Sequence, residues 1–172
     1  MNVSGKSGRV LEVDDEGRAA IDAKSEFLNA SLKGDAYTWT IETFDYEGAD
    51  TVLSVLNQHS DKNLYIYKIL MHGDTETEVE IHVPTATFTP SGTAIVGVNL
   101  NRTSSKVAET ICKAKETNNA QGAFVERVRI KANKDYIVQL DGALVLGFDQ
   151  AICVDYVTDG GEAHVSIWGY FK

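Results

Sequence analysis

The last ten residues of the sequence, AHVSIWGYFK (163–172), decide how the rest of it folds. Successive side chains of a β-strand point to opposite faces of its sheet. Val165, Ile167 and Phe171 therefore share one face with Gly169, and the other face carries Trp168 and Tyr170 beside His164, Ser166 and Lys172. Chain termini are ordinarily frayed and solvated, yet here large apolar groups stand on both sides. Such a strand belongs in the middle of a sheet, with one face in a core and the other against a further apolar surface.

The residues upstream have the texture of more strands. From Tyr37 onward, runs rich in Val, Ile, Thr, Tyr and Phe are separated by Gly, Asp, Asn and Pro, as in short strands joined by turns. Strands are predicted at 51–57, 63–71, 77–83, 93–100, 124–131, 136–140, 143–146, 150–157 and 163–171. HGDTE (72–76), LDGA (140–143) and TDGG (158–161) supply the Gly and Asp of tight reversals, the last expected as a hairpin. In 104–122, Val107, Ala108, Ile111 and Cys112 also fit a helical face, and a long loop with one short element is expected there. The fold class predicted is all-β, an antiparallel β-sandwich. A jelly roll is the arrangement that sets the first and last strands side by side inside one sheet.

In that fold Trp168 and Tyr170 are the expected oligomer interface. Closed cyclic assembly lets each copy bury the same face against the next, and a homotrimer is the expected species. The competing explanation is that a helix of the same chain covers this face. That helix is predicted in SEFLNASLKG (25–34), with Ser25 as its cap, Phe27, Leu28 and Leu32 on one side, and Gly34 as its stop. Residues 1–24 offer little more than the short apolar group Val10, Leu11 and Val13, too little for a core. The expected division is a mostly extended N-terminal arm with a short helix over 1–36 and the jelly-roll sandwich over 37–172. Val10, Leu11, Phe27, Leu28 and Leu32 are the expected anchors of the arm on a partner.

Composition narrows the function classes. The chain has 172 residues, 43% hydrophobic and 24% charged, with 16 basic against 25 acidic residues and a formal net charge of -9. That field repels phosphate backbones, so nucleic acid is not an expected partner. No apolar run approaches the roughly 20 residues that cross a bilayer, and the first residues lack a secretory layout; no membrane partner is expected, and synthesis in a cytoplasm is. Cys112 and Cys153 stand outside any C-x-x-C pattern and are expected as reduced core residues. The sequons at Asn29 and Asn101 carry no physical meaning without export.

Candidate chemistry is sparse. His59, His72, His82 and His164 form no zinc motif. Glu78, Glu80 and His82 alternate with Val79, Ile81 and Val83 and share a strand face; such a row can hold a metal, but a solvated strand face is the expected reading, and no metal or other cofactor is expected. Asp14, Asp15 and Glu16 lack the EF-hand spacing. There is no G-x-S-x-G, P-loop or G-x-G-x-x-G, and no catalytic residue or enzymatic activity is expected. Arg127, Arg129 and Lys131 form a basic stripe opposite Phe124, Val128 and Ile130. The stripe reads either as a solubilising face or as a docking site for an acidic partner surface. Tyr65, Tyr67, Trp39 and Trp168 are candidates for a sugar platform, although aromatics of sandwiches serve more often in cores and interfaces.

Several phrases carry a family likeness: GRVLEVDDEGRAAI (8–21), GDAYTWT (34–40), NLYIYKILMHGDT (63–75), VNLNRTSSKVAE (98–109) and the final ALVLGFDQAICVDYVTDGGEAHVSIWGYFK. In these the chain resembles a group of virion structural proteins of tailed bacteriophages. Where members often read asparagine, phenylalanine, glycine, serine, this chain has Asn99, Leu100, Asn101 and Arg102. The resemblance implies a jelly-roll protein of the virion, assembled in the host bacterial cytoplasm. Its expected role is capsid decoration (cement) or head fibre, docking through the arm on the major capsid protein or other virion proteins. The alternative is a carbohydrate- or receptor-binding module at the tail or fibre tip. The SIWGYFK ending is also similar to the closing strand of tumour necrosis factor trimers, where such a strand lies at the threefold interface.

Overall fold

The computed structural model describes residues 3–4, 10–11, 25–44, 50–84, 91–116, 122–158 and 161–172. A two-residue ladder joins β1 (Val3–Ser4) to β2 (Val10–Leu11). Next come α1 (Glu26–Leu32), β3 (Ala36–Phe44), β4 (Asp50–Asn57), β5 (Leu64–Gly73) and β6 (Thr77–Pro84). The chain continues through β7 (Thr93–Ala94), β8 (Val98–Asn99), β9 (Thr110–Glu116), β10 (Gly122–Ile130), β11 (Lys134–Leu146), β12 (Ala151–Tyr156) and β13 (Glu162–Phe171). One sheet runs β10-β6-β12-β4-β9-β7 and the other β11-β5-β13-β3-β8.

The long strands pair as nested shells, all antiparallel: β3 with β13, β4 with β12, β5 with β11 and β6 with β10. The chain is thus one long hairpin wound into two sheets, which is the jelly roll. β13 lies between β3 and β5, inside its sheet, as its two-sided apolar character requires. Its inward face, Val165, Ile167 and Phe171, joins Trp39, Ile66, Ile69, Leu53, Val79, Ile81, Val154 and Tyr156 in the core between the sheets. The indole Nε1 of Trp39 donates to Thr110 Oγ1 at 3.0 Å, which satisfies the one polar atom that this fully buried ring brings into the core.

Several local expectations are corrected. The AYTWTIETF run forms β3, a strand absent from the predicted set. TAIVGVNL is no single strand: β7 and β8 belong to different sheets. The segment 104–122 holds the seven-residue β9, a full partner of β4. TDGG joins no hairpin, because β12 and β13 lie in different sheets. LDGA does not reverse the chain either. It is a bulge in continuous β11, where pairing jumps from Gln139↔Lys68 to Leu144↔Ile66, and Asp141 (φ 51) and Gly142 (φ 83) adopt the left-handed backbone that such an insertion demands. A Cβ on Gly142 would stand 2.6 Å from the Tyr170 hydroxyl oxygen. Cys112 and Cys153 are buried and not joined in a disulfide, as expected.

α1 forms where predicted. Leu28 N donates to Ser25 Oγ at 3.2 Å, the capping contact of a helix start, and Gly34 takes φ +74 just beyond the end. The faces differ from expectation: Phe27 and Ala30 pack onto the sheet, whereas Leu28 and Leu32 are exposed. α1 packs on β13 and β3, so the helix lies against the outer side of the sandwich. The side chains of Val10 and Leu11 lie outside the described residues.

Candidate functional site on the outer face of the five-stranded sheet

Register builds the outer face of the five-stranded sheet as four cross-strand rows over β3, β13, β5 and β11. Ala36, Tyr170, Tyr65 and Val145 form the first; Thr38, Trp168, Lys68 and Gln139 the second. Thr40, Ser166, Leu70 and Ile137 form the third; Glu42, His164, His72 and Asp135 the fourth. Directly opposed side chains across a sheet are neighbours, so the face grades from aromatic through hydroxyl and aliphatic to acid and imidazole.

α1 lies over the aromatic end. The Phe27 ring stacks on Tyr67 at 4.1 Å between centroids and 13° between planes, and meets Tyr170 edge-on at 6.0 Å. Tyr65 in turn stacks on Tyr170 at 5.2 Å. Tyr67 reaches Phe27 because of a bulge: the buried positions of β5 pass from Leu64 and Ile66 to Ile69 and Met71, so Tyr67 and Lys68 both leave the core. Lys68 Nζ then sits 4.0 Å over the Trp168 ring, a cation–π contact.

The two expected interface residues therefore part company. Tyr170 is 4% exposed beneath α1 of its own chain, which removes it from any surface offered to a neighbour. Burial, with Glu26 close by, pushes its phenol above the ordinary tyrosine range. Trp168 is half-buried, flanked by Phe27 at 6.4 Å and Lys68, and stays on the open part of the face. Beyond it the third row places Ile137 60% exposed, while Thr40 Oγ1 and Ser166 Oγ lie 2.9 Å apart in a hydroxyl pair.

Where α1 meets the end of β13, Asp35 is held by two cations: Lys106 Nζ at 2.8 Å and Lys62 Nζ at 3.4 Å. Burial alone would raise its carboxyl, but the hydrogen bond from Lys106 and the charges of Lys62 and Lys106 outweigh it, and the group sits below the usual carboxylate range. Two grooves of about 420 and 360 Å³ flank this cluster and share Asp35, Lys62 and Phe171. A third, of about 380 Å³, lies between Phe27, Tyr65, Tyr67, Tyr170 and Asp141. Lys172 Nζ ties the terminus to α1 through both carboxylate oxygens of Glu26 at 2.6 Å. Trp39, a sugar-platform candidate, is a core residue.

The basic stripe is on the other sheet and is largely spoken for. Arg127 Nε lies 3.0 Å from Glu78 Oε1 and its guanidinium also pairs with Glu80, while Arg129 Nε reaches Glu76 at 2.8 Å. β10 lies beside β6, so the basic row faces the acidic row and two of the three docking candidates are neutralised; Lys131 is exposed. The expected solvated row of Glu78, Glu80 and His82 is corrected as well, since His82 is 1% exposed with Nε2 2.9 Å from Asp155 Oδ2. A register shift between Phe124 and Glu126 turns Phe124 outward, against Arg127 at 4.7 Å, where strict alternation placed it inward.

Comparison with protein-family models, curated proteins and solved structures gave no match to this chain.

Proposed function

We propose that this chain is a structural protein of a tailed-phage particle. It assembles with copies of itself through the outer face of the five-stranded sheet and decorates the capsid, with residues 1–24 reaching onto the major capsid protein. The observation that carries the reading is the part of the face α1 leaves open, with half-buried Trp168 and exposed Ile137; the helix itself exposes Leu28 and Leu32. Aromatic and aliphatic side chains ringed by Thr38, Thr40, Ser166 and Gln139 have the make-up of an interface, an apolar centre with a polar rim. The phage-like phrases in the sequence point to a particle as the place of that interface. Closed cyclic symmetry lets each copy bury the same face against the next, and a homotrimer is the assembly proposed.

Labelling particles with an antibody raised against the chain, viewed by electron microscopy, tests the location. Label distributed over the head is the expected result, and particles without label overturn the proposal. A second reading, a glycan-binding module at a fibre or tail tip, is favoured by the groove between Tyr65, Tyr67 and Asp141. Label at the tail tip together with glycan binding lost in Tyr67→Ala would favour that reading.

A further inference from the structure

The fourth row, at the end of the face away from α1, has a chemistry that the assembly reading does not use. Strand register alone sets Glu42, His164, His72 and Asp135 opposite one another across four strands. Glu162 joins them from two residues before His164 on β13. A carboxylate oxygen of Glu42, one of Glu162 and a ring nitrogen of His164 lie within 4.8 Å of one another. His164 Nε2 is in hydrogen-bond contact with Glu162 Oε1 and 3.9 Å from Glu42 Oε1. His72 Nδ1 is 2.8 Å from Asp135 Oδ1. The His72 ring stands perpendicular to that of His164, with 5.5 Å between centroids.

We propose that this row is a binding site for a divalent cation of the zinc type, with His164 Nε2, Glu162 and Glu42 as ligands and His72 as the fourth. Mixed imidazole and carboxylate donors suit zinc, whereas magnesium and calcium call for oxygen throughout. Ligands about 2.0–2.2 Å from a tetrahedral zinc are roughly 3.3–3.6 Å from each other. From 3.9 Å, Glu42 must therefore move toward His164 by roughly half an ångström, the His164–Glu162 hydrogen bond must open to admit the cation, and His72, outside the 4.8 Å group, must swing in, rotations open to partly exposed side chains on a fixed backbone. Charge also balances, because two glutamates neutralise a divalent cation and leave a neutral complex. Asp135 is a positioning residue: by accepting from His72 Nδ1–H it leaves the Nε2 lone pair for the metal, the arrangement by which carboxylates orient metal-bound imidazoles. The bound cation would clamp β3, β13 and β5 at the end of the sheet that α1 does not reach.

The site is tested on the purified full chain by calorimetric titration with zinc chloride and by thermal melting with and without the metal. One equivalent bound and a raised melting temperature, reversed by chelator, is the expected result. His164→Ala should weaken binding by about 100-fold and Asp135→Asn by about tenfold, each with its metal-free melting temperature unchanged. His59→Ala, at a separate histidine 3.6 Å from Glu109, should leave binding intact. A wild-type chain that neither takes up zinc nor gains stability overturns the proposal, as does zinc binding that survives His164→Ala. Equal stabilisation by magnesium would overturn the imidazole assignment. None of these outcomes depends on where in a particle the chain resides.

Discussion

Replacing Phe27 by alanine removes the ring through which α1 is seated on the sheet. That ring stacks on Tyr67 at 4.1 Å and lies 6.4 Å from Trp168 and 6.0 Å from Tyr170. Truncating a fully buried phenylalanine costs about 3–5 kcal/mol. Phe27 is partly buried, which roughly halves that figure to about 2 kcal/mol, and the lost stacking adds about 0.5–1 kcal/mol. The expected loss is thus about 2–3 kcal/mol, or a melting temperature lower by roughly 4–12 °C for a domain of this size. Urea denaturation followed by tryptophan fluorescence measures it. Limited proteolysis should then cut the variant within 25–34 and leave that segment uncut in the wild type. Leu28→Ala and Leu32→Ala, at exposed positions on the same helix, should stay within about 0.5 kcal/mol in the isolated chain. A Phe27→Ala variant as stable as those two, with 25–34 still uncut, would refute the seating of α1 on β13.

Other perturbations have defined outcomes. Asp35 is held below the usual carboxylate range, so its contribution is present above the unfolded-state value near 3.9 and is lost as pH falls through the lower folded value. In acid denaturation, Asp35→Asn should flatten the stability profile in that acidic window and leave its shape at neutral pH unchanged. Gly142→Val places a β-branched side chain at φ +83 and against the Tyr170 hydroxyl and should cost about 2 kcal/mol or more by chemical denaturation. Arg127→Ala removes a pairing that is half in solvent and should change stability by no more than about 1 kcal/mol. His82→Ser takes away a partner of buried Asp155 and should cost about 3 kcal/mol, far more than a solvated strand face would.

What was legible in the sequence was what alternation and end signals encode. The two-sided pattern of 163–171 placed β13 inside its sheet, and Ser25 with Gly34 bracketed α1. Alternation fails wherever a bulge inserts a residue, because every later side chain changes face. That is why Tyr67 and Lys68 both point outward on β5, why Phe124 leaves the core, and why LDGA looked like a reversal. The neutralised basic stripe was hidden for another reason. Arg127 and Arg129 meet their acids only once β10 is known to lie beside β6. The same holds for the row of Glu42, His72, Asp135 and His164, which come from four strands and have no spacing in common. Register brings them together, and register between distant strands is a property of the folded sandwich.

The central claim is that the open part of the five-stranded sheet is an assembly surface, and the mass of the purified full chain in solution tests it most directly. Light scattering should give three times the 18.8 kDa of the chain. Trp168→Ala, which removes a partly exposed aromatic from the centre of that surface, should weaken association by roughly 2 kcal/mol or more and leave folded particles of single-chain mass at micromolar concentration. A wild-type chain that remains at 18.8 kDa at the highest concentrations reached, or a trimer indifferent to the loss of Trp168, would contradict the account.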